Sequence, residues 1–253
     1  MRLTTVGTGT VAPHPERVAA GHLVQHGDVT LLLDCGPGIT HRLAALGLPW
    51  PAITHVALTH FHLDHVGELA ALCYAFKYGQ LPPRSTPLTV YGPPGTRELL
   101  DRLAIAHGTW LHAPGYALEV VELPRLDGEI VLGGSVRLRT FPVPHTPESM
   151  AYCIEADGRR LVYTGDTGYD EPVARWADGC DLLLTECSLP EALAIPTHLT
   201  PAQAGRMAAI ARPRRLVLTH FYAPVETVDL RREVETAFGG EVILAHDGWS
   251  IDL

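Results

Sequence analysis

Four side chains able to bind a metal cation stand within six consecutive positions, His60-Phe-His-Leu-Asp-His65. A lone histidine in a loop more often caps a helix or bonds to backbone. Three imidazoles and a carboxylate packed this tightly would repel one another if charged and would be hard to satisfy if buried neutral, whereas a divalent cation accepts all of them. The segment directly follows an apolar run over residues 54–58 that reads as a strand, and alternation sends His60 and His62 to the same side. Asp64 and His65 lead into a helix expected to begin near Val66, which turns their side chains toward a second point close by. One short segment can thereby serve two metal ions.

The elements that must position these groups follow an α/β rhythm. Strands are expected over 29–33 and 54–58 and helices over 39–46 and 68–78. The second half repeats the pattern, with strands over 136–143, 160–164, 181–185 and 214–219 and helices over 201–211 and 227–238. Two short stretches echo each other, His55-Val-Ala-Leu-Thr-His-Phe61 and Leu216-Val-Leu-Thr-His-Phe221, and each runs an apolar strand into a histidine. Loops beyond strand ends are where a rigid backbone delivers reactive side chains. Residues 80–94, rich in Pro and Thr, and 101–116, apolar without clean periodicity, read as an irregular rim, a lid or a dimer contact.

Composition bounds the function. With 253 residues and 46% hydrophobic content the chain buries a sizeable core, and no stretch is apolar for long enough to cross a bilayer. The formal charge of -9 counts against an extended nucleic-acid groove. Five scattered cysteines with no C-x-x-C pair read as small buried side chains in a reducing cytoplasm. The more informative count is 14 histidines.

The HxHxDH segment resembles the signature of the metallo-β-lactamase superfamily, and further motifs follow in that family's order: His145 after the strand over 136–143, Asp166 in Tyr163-Thr-Gly-Asp-Thr-Gly168, and His220 in Leu218-Thr-His-Phe221. The resemblance implies an α/β fold, an αββα sandwich of two mixed β-sheets flanked by helices, as a single domain over residues 1–253. It implies His60, His62 and His145 on one metal, Asp64, His65 and His220 on the other, and Asp166 touching both. Such a mixed set suits Zn2+, with Mn2+ or Fe2+ as alternatives. The flavodiiron branch typically has Glu where this chain has His62, which disfavours an iron redox centre. Asp34, in Leu33-Asp-Cys-Gly-Pro-Gly38, matches an aspartate expected to orient a ligand histidine. Two divalent ions about 3.5 to 4 Å apart lower the pKa of a bridging water and stabilise the charge of a displacement, so a hydrolase is expected.

Glu186-Cys-Ser with Thr197-His-Leu-Thr-Pro-Ala-Gln-Ala204 is similar to the ribonuclease Z and cyclic-phosphodiesterase branches. That similarity implies that His198 protonates a leaving oxygen while Glu186 orients it, with Asp64 completing the catalytic set. The plainer alternative is that Thr197 or Thr200 caps the helix over 201–211 and His198 is merely exposed. Val6-Gly-Thr-Gly-Thr-Val-Ala-Pro13 also resembles these branches, where a glycine turn borders the active site. Its G-x-G-x-x-A pattern is no dinucleotide loop, because Pro13 and Pro15 block the helix such a loop must enter. His14 and His22 are candidates only for lining the cleft. Ribonuclease Z enzymes usually carry a tRNA-gripping arm between the positions matching His145 and Asp166, and about twenty residues there leave no room for one. The additional cysteine-rich zinc site of carbon-phosphorus-pathway phosphodiesterases is missing too. The expected substrate is a small or cyclic phosphodiester; tRNA 3' processing, or lactone or thioester hydrolysis on the same metals, are the alternatives. A homodimer is allowed, and no membrane association is expected.

Overall fold

The computed structural model describes residues 1–253 as two seven-stranded sheets packed face to face. In chain order the strands are β1 Arg2–Gly7, β2 Gly21–His26, β3 Val29–Leu33, β4 His55–Ala57, β5 Leu88–Gly92, β6 Leu118–Glu122, β7 Glu129–Leu132, β8 Val136–Pro142, β9 Met150–Ala156, β10 Arg159–Tyr163, β11 Leu182–Glu186, β12 Arg215–Thr219, β13 Glu241–Leu244 and β14 Ser250–Asp252. The first sheet runs β14-β1-β2-β3-β4-β5-β6 and the second β13-β12-β11-β10-β9-β8-β7. Each is antiparallel on one side and parallel on the other. The change falls at β3, antiparallel to β2 and parallel to β4, and at β10, antiparallel to β9 and parallel to β11.

Alternation along single strands explains the layers. Leu31 and Leu33 of β3 point into the cluster between the sheets, with Tyr152, Ile154, Leu184 and Val217, while Leu32 between them points outward beneath helices. A strand covered on both faces reads as a continuous apolar run, as Thr-Leu-Leu-Leu does here. Helices α1 Ile39–Ala45, α2 Leu63–Val66, α3 Leu69–Tyr78 and α4 Thr96–His107 flank the first sheet; α5 Glu171–Trp176, α6 Pro201–Ala211 and α7 Leu230–Glu235 flank the second. The αββα sandwich of two mixed sheets is the expected fold. Helix α6 begins with Pro201 behind a capping box: the Thr200 hydroxyl accepts the Gln203 backbone N–H, and the Gln203 side chain accepts that of Thr200.

Several expectations are corrected. Residues 80–116 are no irregular rim, since β5 is an interior strand between β4 and β6 and α4 is a twelve-residue helix. Gly92-Pro93-Pro94-Gly95 separates the two. The pattern of α4 is faint because only Thr96, Leu100 and Ala104 are buried and Ile105 is 85% exposed. The helix after the metal-binding segment starts at Leu63, so Asp64 and His65 lie inside its single turn. The helix expected over 227–238 is shorter: a 3-10 turn ends at Thr227, and Asp229 caps α7 by accepting the Arg232 backbone N–H.

Candidate metal centre and active site

Strand ends from both sheets deliver the reactive side chains to one edge of the sandwich. β3 ends before Asp34, β4 leads into His60, β8 into His145, β10 into Asp166, β11 into Glu186 and β12 into His220. Asp34 and Asp166 thus follow the two strands at which pairing changes from antiparallel to parallel, the kind of place where open α/β sheets leave a crevice. Asp34 and His220 hold φ of 58° each, an uncommon left-handed conformation for residues with a Cβ. Gly165 precedes Asp166 at φ 58°, and a Cβ there would lie 2.8 Å from the Thr59 side chain, so glycine lets this turn close on the β4 loop.

The expected residues converge as two groups. Donor atoms of His60, His62, His145 and Asp166 lie within 4.8 Å of one another, and so do those of Asp64, His65 and His220. Asp166 faces both groups with different oxygens. Its Oδ2 is 3.9 Å from His60 Nε2 and 3.7 Å from His145 Nε2, and its Oδ1 is 3.2 Å from His65 Nε2 and 3.3 Å from His220 Nε2. Asp64 Oδ2 reaches His220 Nε2 at 3.4 Å. His62, on the solvent side, presents Nδ1 3.0 Å from His145 Nε2.

Hydrogen bonds behind the cluster fix which nitrogen faces it. His65 Nδ1 donates to Asp34 at 2.8 Å, and His145 Nδ1 donates to the Thr197 carbonyl at 2.9 Å. A hydroxyl has one proton, and the Thr59 hydroxyl donates it to Asp34 Oδ2 at 2.9 Å, so His60 Nδ1, 3.0 Å away, must be the donor to Thr59. The Ser188 hydroxyl repeats the arrangement. It donates to Glu186 Oε2, a stronger acceptor than the His220 carbonyl at 3.1 Å, and accepts from His220 Nδ1 at 2.9 Å. Four imidazoles therefore spend Nδ1–H on the protein and turn Nε2 toward Asp166. Asp34 gathers four donors, from the Thr59 backbone and hydroxyl, His65 and Tyr163. The sequence reading gives a role to Asp34 but none to Thr59, Tyr163 or Ser188, although each stands in a motif stretch one to three residues from His60, Asp166 or Glu186.

Glu186 and His198 form a second unit at the rim. The Glu186 carboxylate is buried and accepts from Thr167 N at 2.7 Å, Leu199 N at 3.1 Å, Ser188 Oγ and His198 Nδ1 at 3.0 Å. His198 is thereby left with Nε2 free, its Nδ1 4.0 Å from Asp166 Oδ2 and its side chain 11% exposed. Capping of α6 by Thr200 and the Glu186 contact coexist, so His198 is held rather than merely exposed. Tyr222 packs its ring edge-on to His198 and His220. His14 lines a neighbouring cavity. His22 is fully buried beneath the site against the Tyr163 ring and is no part of the cleft.

Burial and the mutual charges of the cluster set its protonation. Burial, and then the nearby His65, push His60 well below its ordinary pKa. Against burial, which alone would lower it, Asp166 and Asp34 hold His65 well above. Burial alone would raise Asp166, but His220 and His65 hold its carboxyl well below the usual range. For His198 burial is likewise outweighed, here by the hydrogen bond and charge of Glu186, and its pKa rises to about 8.

His60 Nε2 and Asp166 Oδ1 are buried with no hydrogen-bond partner, an arrangement costly unless something satisfies them. Imidazole lone pairs and carboxylate oxygens converging on these orphaned atoms fit divalent ions with nitrogen and oxygen preference.

Two mixed sheets between helical layers, with a histidine and aspartate cluster at the strand ends, define a metallo-β-lactamase fold. The sequence profile described as "Beta-lactamase superfamily domain" matches residues 30–221. The chain belongs to that family, whose fold uses divalent metal ions, and it is a metal-dependent hydrolase. It is 31% identical to a protein named ribonuclease Z from Mycobacterium avium, over 98% of this chain and 96% of that one. The crystal structure of the metallo-β-lactamase fold protein YhfI from Bacillus subtilis superposes with a TM-score of 0.85 at 26% identity, covering 99% of this chain and 98% of that one. The short form of human tRNase Z gives a TM-score of 0.81 at 25% identity, covering 100% and 99%.

Proposed function

We propose that the protein is a phosphodiesterase acting on small or cyclic phosphodiesters with two bound zinc ions. His60, His62 and His145 would hold one ion and Asp64, His65 and His220 the other, with Asp166 between them. Bound ions of this kind supply Lewis acidity toward water and toward substrate oxygens. The observation that carries the phosphodiesterase reading is the His198–Glu186 pair at the rim of the cluster. With a pKa of about 8, His198 is protonated at neutral pH, and its free Nε2 gives that proton to the departing alkoxide. Glu186 keeps the ring in place through Nδ1 and balances the imidazolium charge. Asp64, whose Oδ2 lies 3.4 Å from His220 Nε2, would complete the site from the metal side.

Small substrates are favoured by the connection from His145 to Asp166, which is β9, a two-residue turn and β10, with no protruding arm. The five buried free thiols support a reducing compartment, the cytoplasm. Ribonuclease Z-like tRNA 3' processing is the second reading, favoured by the relative in Mycobacterium avium that bears that name. The test is metal analysis of the purified protein with a panel of bis-nitrophenyl phosphate, cyclic nucleotides, a precursor tRNA, a lactone and a glutathione thioester. The highest kcat/KM should fall on a small phosphodiester and vanish in Asp166→Ala. A lactone or thioester preferred over every phosphodiester refutes the reading, and a preferred precursor tRNA replaces it with the second.

A further inference from the structure

Beside Asp64 the loop following β1 arches over a cavity of about 330 Å3. Val11, Ala12 and Pro13 form one wall and Pro37 and Leu63 face them, so most of the lining is apolar. It is bounded by the same Asp64 that faces His220 and therefore lies beside the metal cluster. Two basic side chains, His14 and Arg17, also reach it, but neither is free. Arg17 donates through Nε to Glu226 at 2.7 Å and through one terminal nitrogen to Thr8 Oγ1 at 2.6 Å and the Ala245 carbonyl at 3.0 Å, with its guanidinium over the Phe221 ring. His14 accepts the Glu16 backbone N–H at Nδ1, which leaves its proton on Nε2, 3.3 Å from the other oxygen of Glu226. One carboxylate thus occupies both basic side chains.

Resting on the phosphodiesterase reading, we propose that this chamber receives an uncharged aromatic or apolar substituent of the substrate, a nucleobase or aryl group, and that Glu226 turns away substrates bearing a second phosphate. An apolar lining stabilises a flat uncharged group by desolvation. A second phosphate would leave water for a wall with no cation to spare and would meet the charge of Glu226. The preferred substrates then carry a single negative charge, at the scissile phosphodiester itself, and Glu226 acts on selectivity through Arg17 and His14.

The experiment compares thymidine 5'-(4-nitrophenyl phosphate) with its 3'-phosphorylated counterpart on the zinc-loaded full chain, for the wild type, Glu226→Gln and Ala12→Arg. The wild type should favour the singly charged ester by at least about tenfold in kcat/KM. Glu226→Gln, which frees Arg17, and Ala12→Arg, which adds a cation at the rim, should each narrow that ratio, chiefly through KM for the bisphosphate. Equal wild-type kcat/KM on both esters, or a ratio unmoved in both variants, overturns the chamber assignment and leaves the phosphodiesterase reading standing. Turnover of neither ester overturns the phosphodiesterase reading and this inference with it.

Discussion

Replacing Ser188 by alanine removes one oxygen from a residue with no exposed surface and strips two buried groups of a partner. His220 Nδ1–H loses its acceptor, and Glu186 loses one of its four donors. An unsatisfied buried donor costs about 1–3 kcal/mol. The strain is relieved if the His220 ring rotates or moves its proton to Nε2, and either change withdraws the lone pair aimed at Asp64 and Asp166. Loss of such an orienting partner weakens metal binding by about 10- to 100-fold, the same energy range read as affinity. The loss should fall on the ion proposed for Asp64, His65 and His220, because His60 and His145 are oriented by Thr59 and Thr197. Competition titration against a chelating dye, with metal stoichiometry measured at each step, should show Ser188→Ala keeping one zinc at wild-type affinity and releasing the other early. Ser188→Thr, which restores the hydroxyl, should recover the second. Two zincs at wild-type affinity in the alanine variant, or no recovery in the threonine variant, would refute the argument from hydroxyl protons.

His198→Ala should slow alkyl phosphodiesters by about 100- to 10,000-fold while nitrophenyl esters, whose leaving group needs no proton, lose far less; equal losses on both series remove the proton-donor role. Because Glu186 raises His198 from 6.5 to about 8, the acid form is present below pH 8 and is lost as pH rises through it, so kcat/KM for alkyl esters should fall about tenfold per unit above pH 8. In Glu186→Gln that limb should move to lower pH, and an unmoved limb refutes the assignment. Burial, with the charges of His65 and His220, depresses His22 from 6.5 to about 3, so its contribution to stability is whole above pH 6.5 and is lost as pH falls toward 3. Urea unfolding of His22→Phe between pH 6 and 4 should show a slope smaller by up to about 1.4 kcal/mol per pH unit, and an unchanged slope contradicts a neutral buried imidazole. Asp34→Asn turns an acceptor oxygen into a donor facing Thr59, His65 and Tyr163, and zinc affinity should fall about 10- to 100-fold; retention of wild-type affinity would show that His65 needs no anion behind it.

The sequence was most readable where covalent spacing carries the information. His60 to His65 cannot be far apart, and apolar strands such as 29–33 and 214–219 announce themselves by composition. The gathering of His145, Asp166 and His220 was legible only through family resemblance, because no local pattern states which strand ends meet. The strands at the two edges of the first sheet, β6 and β14, are hard to read for a different reason: Glu119, Glu122 and Asp252 interrupt their apolar runs, as edges of a sheet permit. β5 and α4 were hidden by Pro and Gly at their boundaries. Ser188 and Thr59 were invisible because their roles exist only in three dimensions, where one hydroxyl proton decides which nitrogen of a distant imidazole remains open.

The proposed metal donors divide between the two sheets, His60 to His65 arriving from the first and His145, Asp166 and His220 from the second. The layer between the sheets already holds both sets in register, so an ion entering here finds its cage built during folding and has little left to order. The same rigidity keeps imidazole nitrogens 3.0 and 3.4 Å apart, a local crowding of polar groups that the rest of the fold does not share. A cation held there by donors from both sheets would act as a cross-brace between the halves of the fold.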